Sequence, residues 1–200
     1  SPGLPWARER GIRVSPPLKG KGFSMTELVA QAKKEGHLNT IALPPDWANY
    51  GELMSTFQSK YKIGITNANP DGSSAEENQA VQSLKGDSRA PDAVDDGPAF
   101  AISGTASSLF AKYMVTEFAT IPRAMKDTRG YWTGDYWGVI SIGYNANLIN
   151  PAPKTWKDLL NPAYKGKVAI NGSPLTSGSA VAGVFSAALA NGGSLNKVGP

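Results

Sequence analysis

Leu38-Asn39-Thr40-Ile41-Ala42-Leu43-Pro44-Pro45-Asp46-Trp47-Ala48-Asn49-Tyr50 sets the architecture of this chain. Leu38 to Leu43 is a short, mostly apolar run of strand length, and the two prolines that follow cannot continue a ladder. A segment of carboxylate, indole, amide and phenol comes next. A helix then opens at Asn49-Tyr50-Gly51-Glu52, with Tyr50, Leu53, Met54, Phe57 and Tyr61 at helical spacing. Tyr136-Trp137-Gly138-Val139-Ile140-Ser141-Ile142-Gly143-Tyr144-Asn145 has the same make-up, and Val139 to Tyr144 is the strongest strand signal in the sequence. Both stretches set aromatic and polar groups at a strand end, where open parallel sheets receive small polar molecules.

The flanking segments predict alternating helices and strands. Ser24-Met25-Thr26-Glu27 fits a capping box, Leu28, Val29 and Ala32 form a buried stripe, and Gly36 supplies a left-handed stop. Ile63 to Thr66 is a short strand. Ser73 and Ser74 each stand three residues before a glutamate, Glu76 and Glu77, and open a helix to about Leu84. Pro91 to Gly97 reads as a short buried strand ending in Asp95 and Asp96. Further on, the expectations are a strand over Ala111–Val115, a helical turn over Ile121–Lys126, and a brief helix capped by Thr155 and ended by Pro162. A strand over Val168–Ile170 and a small-residue helix over Ala180–Ala190 follow. This order predicts an α/β fold with a mostly parallel sheet and helices on both faces.

Composition narrows the classes. Two hundred residues suffice for one large domain or two small ones, and 40% apolar with 18% charged residues is ordinary for a globular protein. The formal charge of +4 is mild, and Arg8, Arg10, Arg13, Lys19 and Lys21 carry much of the basic excess near the start, so no nucleic-acid footprint is expected. Cysteine is absent, which removes disulfides, thiolate metal sites and cysteine nucleophiles. No run approaches the roughly 20 apolar residues of a membrane span. The opening lacks a charged start followed by an apolar core, so an exported protein would be seen here in mature or trimmed form. Residues 1–22 are expected to be a flexible arm, and a tether between a membrane anchor and the folded body is one use for it.

Four segments, taken in order, resemble the extracellular solute-binding proteins of ABC importers, in the group that includes polyamine, ferric-iron, thiamine and phosphonate binders. They are Gly36 to Leu43 with its following helix; Ala90-Pro91-Asp92-Ala93-Val94-Asp95; Trp137 to Asn145; and Pro153-Lys154-Thr155-Trp156-Lys157-Asp158-Leu159-Leu160 with Tyr164-Lys165-Gly166-Lys167-Val168. The resemblance runs from about Ser24 to the end. It implies a two-lobed periplasmic-binding-protein-like (type II) fold, with a first α/β lobe over residues 23–136. Residues 137–200 would be a hinge strand and the start of a second lobe. Family members are considerably longer, so the second lobe is expected to be incomplete in this sequence. The implied protein is a monomer at the periplasmic or extracellular face, lipid-anchored in one version. It would pass a small solute to permease subunits, with no cofactor, resident metal or nucleic acid.

The candidate ligand contacts fall into four groups. Asp46, Trp47 and Tyr50 could hold an ammonium by charge and cation–π attraction, the latter worth ~0.5–2 kcal/mol; the bland alternative is local packing. Ser73 and Ser74 cap a helix whose free amides could also face ligand, and Asp95 ends a strand where an amine could pair with it, though acids are common in turns. Trp132, Asp135, Tyr136 and Trp137 form the densest aromatic–acid cluster, and the resemblance puts them near the crossing between lobes; core or hinge packing is the competing role. Ser173, Thr176, Ser177, Gly178 and Ser179 precede a helix and suit a phosphonate or carboxylate, or are an ordinary cap. The aromatics and aspartates favour a polyamine-like cation, with a phosphonate or other anion second and ferric iron third. His37, the only histidine, is expected at a solvent-facing strand end. Neither a dinucleotide nor a P-loop fingerprint is present, and no nucleophile–base pair stands out, which disfavours an α/β enzyme. A ligand-sensing regulator would normally bring a DNA-binding module, which the short arm does not supply.

Overall fold

A computed structural model describes residues 24–197. The arm expected over residues 1–22 and the last residues of the chain lie outside them. The chain divides at Asp135 and Tyr136 into two compact units. No helix among the described residues is long and apolar enough to cross a membrane.

The described part of the first unit opens with α1, Met25–Glu35. Ser24 Oγ accepts the Glu27 N–H at 3.3 Å, and Gly36 closes the helix in the left-handed region at φ 72°. Leu28, Val29 and Ala32 are its least exposed face but are half-buried rather than buried. Strand β1, His37–Ile41, and strand β2, Gly64–Ala68, pair in parallel from His37↔Gly64 to Ile41↔Ala68. Between them runs α2, Tyr50–Tyr61, the crossover that a parallel pair requires. Asn67 lengthens the ladder with its side chain: its Oδ1 accepts the Leu43 N–H at 3.3 Å and its Nδ2 donates to Leu43 O at 2.7 Å. Among the described residues of this unit, Ile41, Tyr50, Ile63 and Ala101 are the buried apolar ones.

The strand expected at Pro91–Gly97 shrinks to one parallel bridge, Thr40↔Ala93. Asp92 anchors it, with its N–H on Asn39 O and its carboxylate on the Asn39 N–H, both at 2.8 Å. Helix α3 spans Ser74–Ser83 and α4 spans Pro98–Ala106. The second of these was not anticipated: its start is a proline after Gly97 rather than a hydroxyl cap, and Ile102 lies exposed on it. No strand forms over Ala111–Val115, and the expected turn at Ile121–Lys126 is a single 3-10 turn, Arg123–Met125. The unit closes with a tight reversal. Lys126 and Thr133 form an antiparallel bridge, Asp127 receives the Arg129 N–H and guanidinium, and Gly134 approaches Met125 O so closely that a Cβ would stand 2.8 Å from it.

Over its described residues the second unit holds two 3-10 segments, Trp156–Leu160 and Pro162–Tyr164, and one helix, α5, Gly178–Ala190. Thr155 and Asp158 make a full capping box, and Trp156 Nε1 donates to Ser186 Oγ at 3.1 Å, tying the first segment to α5. The strands expected over Val139–Tyr144 and Val168–Ile170 do not form. An extended run becomes a strand only where a neighbour offers a ladder. In the described residues of this unit these two runs are not paired, and Val139 is 79% exposed.

Candidate functional site

The loop from β1 into α2 is built under local constraint. Ala42, Ala48 and Asn49 all have positive φ (58°, 47° and 63°), a region that non-glycine residues seldom adopt. Trp47 N–H donates to Pro44 O, Tyr50 N–H to Trp47 O and Gly51 N–H to Pro45 O, so the segment turns back on itself before the helix starts. Gly51 is required there, because a Cβ would lie 2.8 Å from Pro45 O. Asn49 makes no side-chain cap, so its amide is not used in the way its sequence position suggests. The result leaves Asp46 exposed and Trp47 54% exposed, while Tyr50 is buried.

The Tyr50 hydroxyl is the meeting point of three distant parts of the sequence. It lies 2.5 Å from Asp95 Oδ2 and 3.3 Å from Asp135 Oδ2. A phenol has one proton, and the shorter bond takes it, so Asp135 Oδ2 sits near the phenol oxygen with the weaker contact. Two carboxylates and one phenol gathered on one point make an acidic, acceptor-rich polar focus.

Beneath Asp95 lies a buried carboxyl. Glu77 is 2% exposed, and its Oε1 accepts the Asp95 N–H at 2.9 Å. Burial, with the charges of Asp96 and Asp95 beside it, pushes the Glu77 carboxyl up to about 9. Burial pushes Asp96 up to about 7, with Asp95 adding to the rise. Both Asp96 carboxylate oxygens are shut from solvent and make no hydrogen bond of full geometry, although the Glu77 carboxyl lies near enough to act on them.

Ser73 and Ser74 part company. Ser73 is the N-cap of α3 and forms the complete box with Glu76, whose carboxyl is held below its ordinary range by the Ser73 amide and hydroxyl. Ser74 is the first helical residue, and its Oγ accepts the Gly97 N–H at 3.1 Å. The expectation that Glu77 pairs with Ser74 in a second box is corrected: a helix start has one N-cap, and Glu77 turns into the protein. Trp132 is half-buried beside the closing reversal, with its carbonyl on the Asp127 N–H.

The first unit therefore brings together Tyr50, Asp95 and Asp135, with Ser74 holding the backbone behind Asp95. Tyr136 and Trp137 belong to the second unit and are exposed, Trp137 at 75%. In that unit Ser177 Oγ caps α5 by accepting the Ala180 N–H at 3.3 Å, and Ser173 accepts from Leu175, Thr176 and Ser177. Gly178 and Ser179 are the first residues of α5. His37 is exposed at the start of β1 and shares a 2.8 Å hydrogen bond with Thr66 Oγ1. No group of three or more His, Asp or Glu side chains among the described residues is arranged to hold a metal ion. Sequence reasoning missed Glu77 as a supporting residue. The signal was the second Ser-x-x-Glu overlapping the first, which cannot also be a cap.

Residues 102–194 match the family model of bacterial extracellular solute-binding proteins. The match covers a little under half of the chain and supports a solute-binding protein family, whose members are typically exported and non-enzymatic. No curated protein matches the chain. Asp135, Trp137 and the Ser173–Ser179 loop lie within the matched residues, whereas Tyr50, Glu77 and Asp95 precede them. The mixed helices and small parallel sheet fit an α/β fold.

Proposed function

We propose that this chain is the solute-binding component of an ABC importer and that it captures an amine-bearing solute through Tyr50, Asp95 and Asp135. The convergence of two carboxylates on the Tyr50 hydroxyl, at 2.5 and 3.3 Å, is the observation that carries the ammonium preference. An alkylammonium offers three N–H donors to such acceptors, and the exposed Trp47 face nearby in the sequence suits the methylene chain or a second charge of a diamine. Asp46 and Trp132, of the same unit, complete the contact set in this reading. Capture needs no bond to be made or broken. In the type II two-lobed scaffold the solute would favour a closed form, and the loaded protein would deliver it to permease subunits at the outer face of the membrane, with an anchor on the N-terminal side.

The second reading, an anion at Ser173, Thr176, Ser177, Gly178 and Ser179, has less support. Ser173 and Ser177 are already engaged within their own turn. Calorimetry with 1,4-diaminobutane, spermidine and methylphosphonate tests the choice. Heat on the amines that is lost in Asp95→Asn sustains the ammonium reading, and heat on the phosphonate alone reverses it.

A further inference from the structure

Three side chains on one face of α3 grip a single stretch of backbone. Ser74, Glu77 and Asn78 stand at the i, i+3, i+4 spacing that aligns groups on a helix. Ser74 Oγ takes the Gly97 N–H at 3.1 Å, Glu77 Oε1 takes the Asp95 N–H at 2.9 Å, and Asn78 Nδ2 donates to Phe100 O at 3.1 Å. The segment so held carries Asp95, whose carboxylate meets Tyr50. Of the three, Glu77 is the one that holds Asp95 itself and is the most buried, at 2% exposure.

A carboxylate in that position would be an odd choice for a structural peg. A buried charge is costly unless compensated, and the charges that act on Glu77 are those of Asp95 and Asp96, both of its own sign. Asp96 is a neighbour with two buried oxygens and no full hydrogen bond. A protonated Glu77 answers both difficulties at once. One oxygen accepts from the Asp95 N–H, the other carries a proton, and Asp96 is the acceptor within reach of that proton.

We propose that Glu77 is the positioning residue of the Asp95 site: it fixes the Asp95 backbone so that its carboxylate is aimed before ligand arrives. The inference rests on the reading of Asp95 as a ligand contact. Preorganisation of this kind raises affinity by removing the ordering step from binding, so Glu77 acts on ligand without touching it.

The test compares wild type with Glu77→Gln, which keeps an acceptor and a donor, and Glu77→Leu, which keeps shape and removes both. Two readouts are taken on folded protein, amide hydrogen exchange at Asp95 without ligand and calorimetry with 1,4-diaminobutane. Glu77→Leu should speed Asp95 exchange and weaken diamine binding, each about tenfold or more, the loss expected when one buried hydrogen bond goes. Glu77→Gln should recover most of both. Carbon-detected titration of wild type should show the Glu77 carboxyl still protonated at neutral pH. Wild-type exchange and affinity in Glu77→Leu would overturn the proposal, as would a Glu77→Gln variant no better than Glu77→Leu, or a Glu77 signal titrating like an exposed glutamate. If Glu77→Leu fails to fold, the Gln variant and the titration decide. If wild type ignores the diamine, the ammonium reading falls, while protection of the Asp95 amide judges the clamp separately.

Discussion

Ile41 and Val139 occupy apolar runs of similar length and similar strand character, yet their surroundings differ almost completely. Ile41 is 5% exposed, pairs with Ala68 and sits in the unit that also buries Tyr50, Ile63 and Ala101. Val139 is 79% exposed and unpaired, and in its unit Ala180 and Gly183 are the buried residues of α5. Strand formation thus follows the availability of a partner edge more than the composition of the run. The first unit supplies an edge within about 30 residues through a βαβ crossover. The second, over its described residues, makes its regular contacts between 3-10 turns and one helix.

The contrast can be broken most directly by truncation. Ile41→Ala should cost about 2–5 kcal/mol of stability, whereas Val139→Ala should stay within about 0.5 kcal/mol. Urea unfolding of both variants measures this, and equal losses would mean that Val139 is covered in solution. Next in size is pH. The Glu77 and Asp96 carboxyls are raised in the folded state, so the folded protein binds more protons than the unfolded chain between the ordinary carboxylate range and about pH 9. Stability therefore falls as pH rises through that window, and Glu77→Gln should flatten the fall. Below about pH 4 the sign reverses, because Asp127, Glu76 and Asp158 are lowered by their hydrogen bonds, Asp127 first by the Arg129 guanidinium. Melting temperature scanned from pH 4 to 9 should peak on the acid side.

Gly51→Ala sharpens the same comparison from the backbone. A Cβ 2.8 Å from Pro45 O should cost about 1–3 kcal/mol, whereas Gly143→Ala in the second unit meets open space and should cost far less. The smallest expected effect is one the two units share. Ser73→Ala and Thr155→Ala each remove half of a capping box and should each cost ~1 kcal/mol. A loss in Ser73→Ala but none in Thr155→Ala would show that the second unit melts apart from the first.

Capping chemistry was the most legible part of the sequence, since a cap depends on residues within one turn. Ser24, Gly36, Ser73 with Glu76, and Thr155 with Asp158 mark real boundaries. The parallel pairing of β1 and β2 was also readable, from two apolar runs around a helical spacing. What could not be read were relations across long separations. Tyr50 and Asp95 were both candidates, but their 2.5 Å contact spans 45 positions and leaves no periodic trace. In the sequence Glu77 reads as the capping-box partner of Ser74, because the rule looks three residues back, whereas its partner lies 18 ahead at Asp95.

The side chain of Asn67 has a longer-term consequence. By donating to Leu43 O and accepting from Leu43 N–H, it imitates one more peptide of the parallel ladder at the root of the Asp46–Tyr50 loop. An ionised carboxylate cannot do both. Spontaneous hydrolysis to aspartate, the common ageing reaction of asparagine, would leave an anion facing a carbonyl where a donor had been. Stored protein should accordingly loosen first at this loop, a one-dalton change with an effect on the site far larger than its mass.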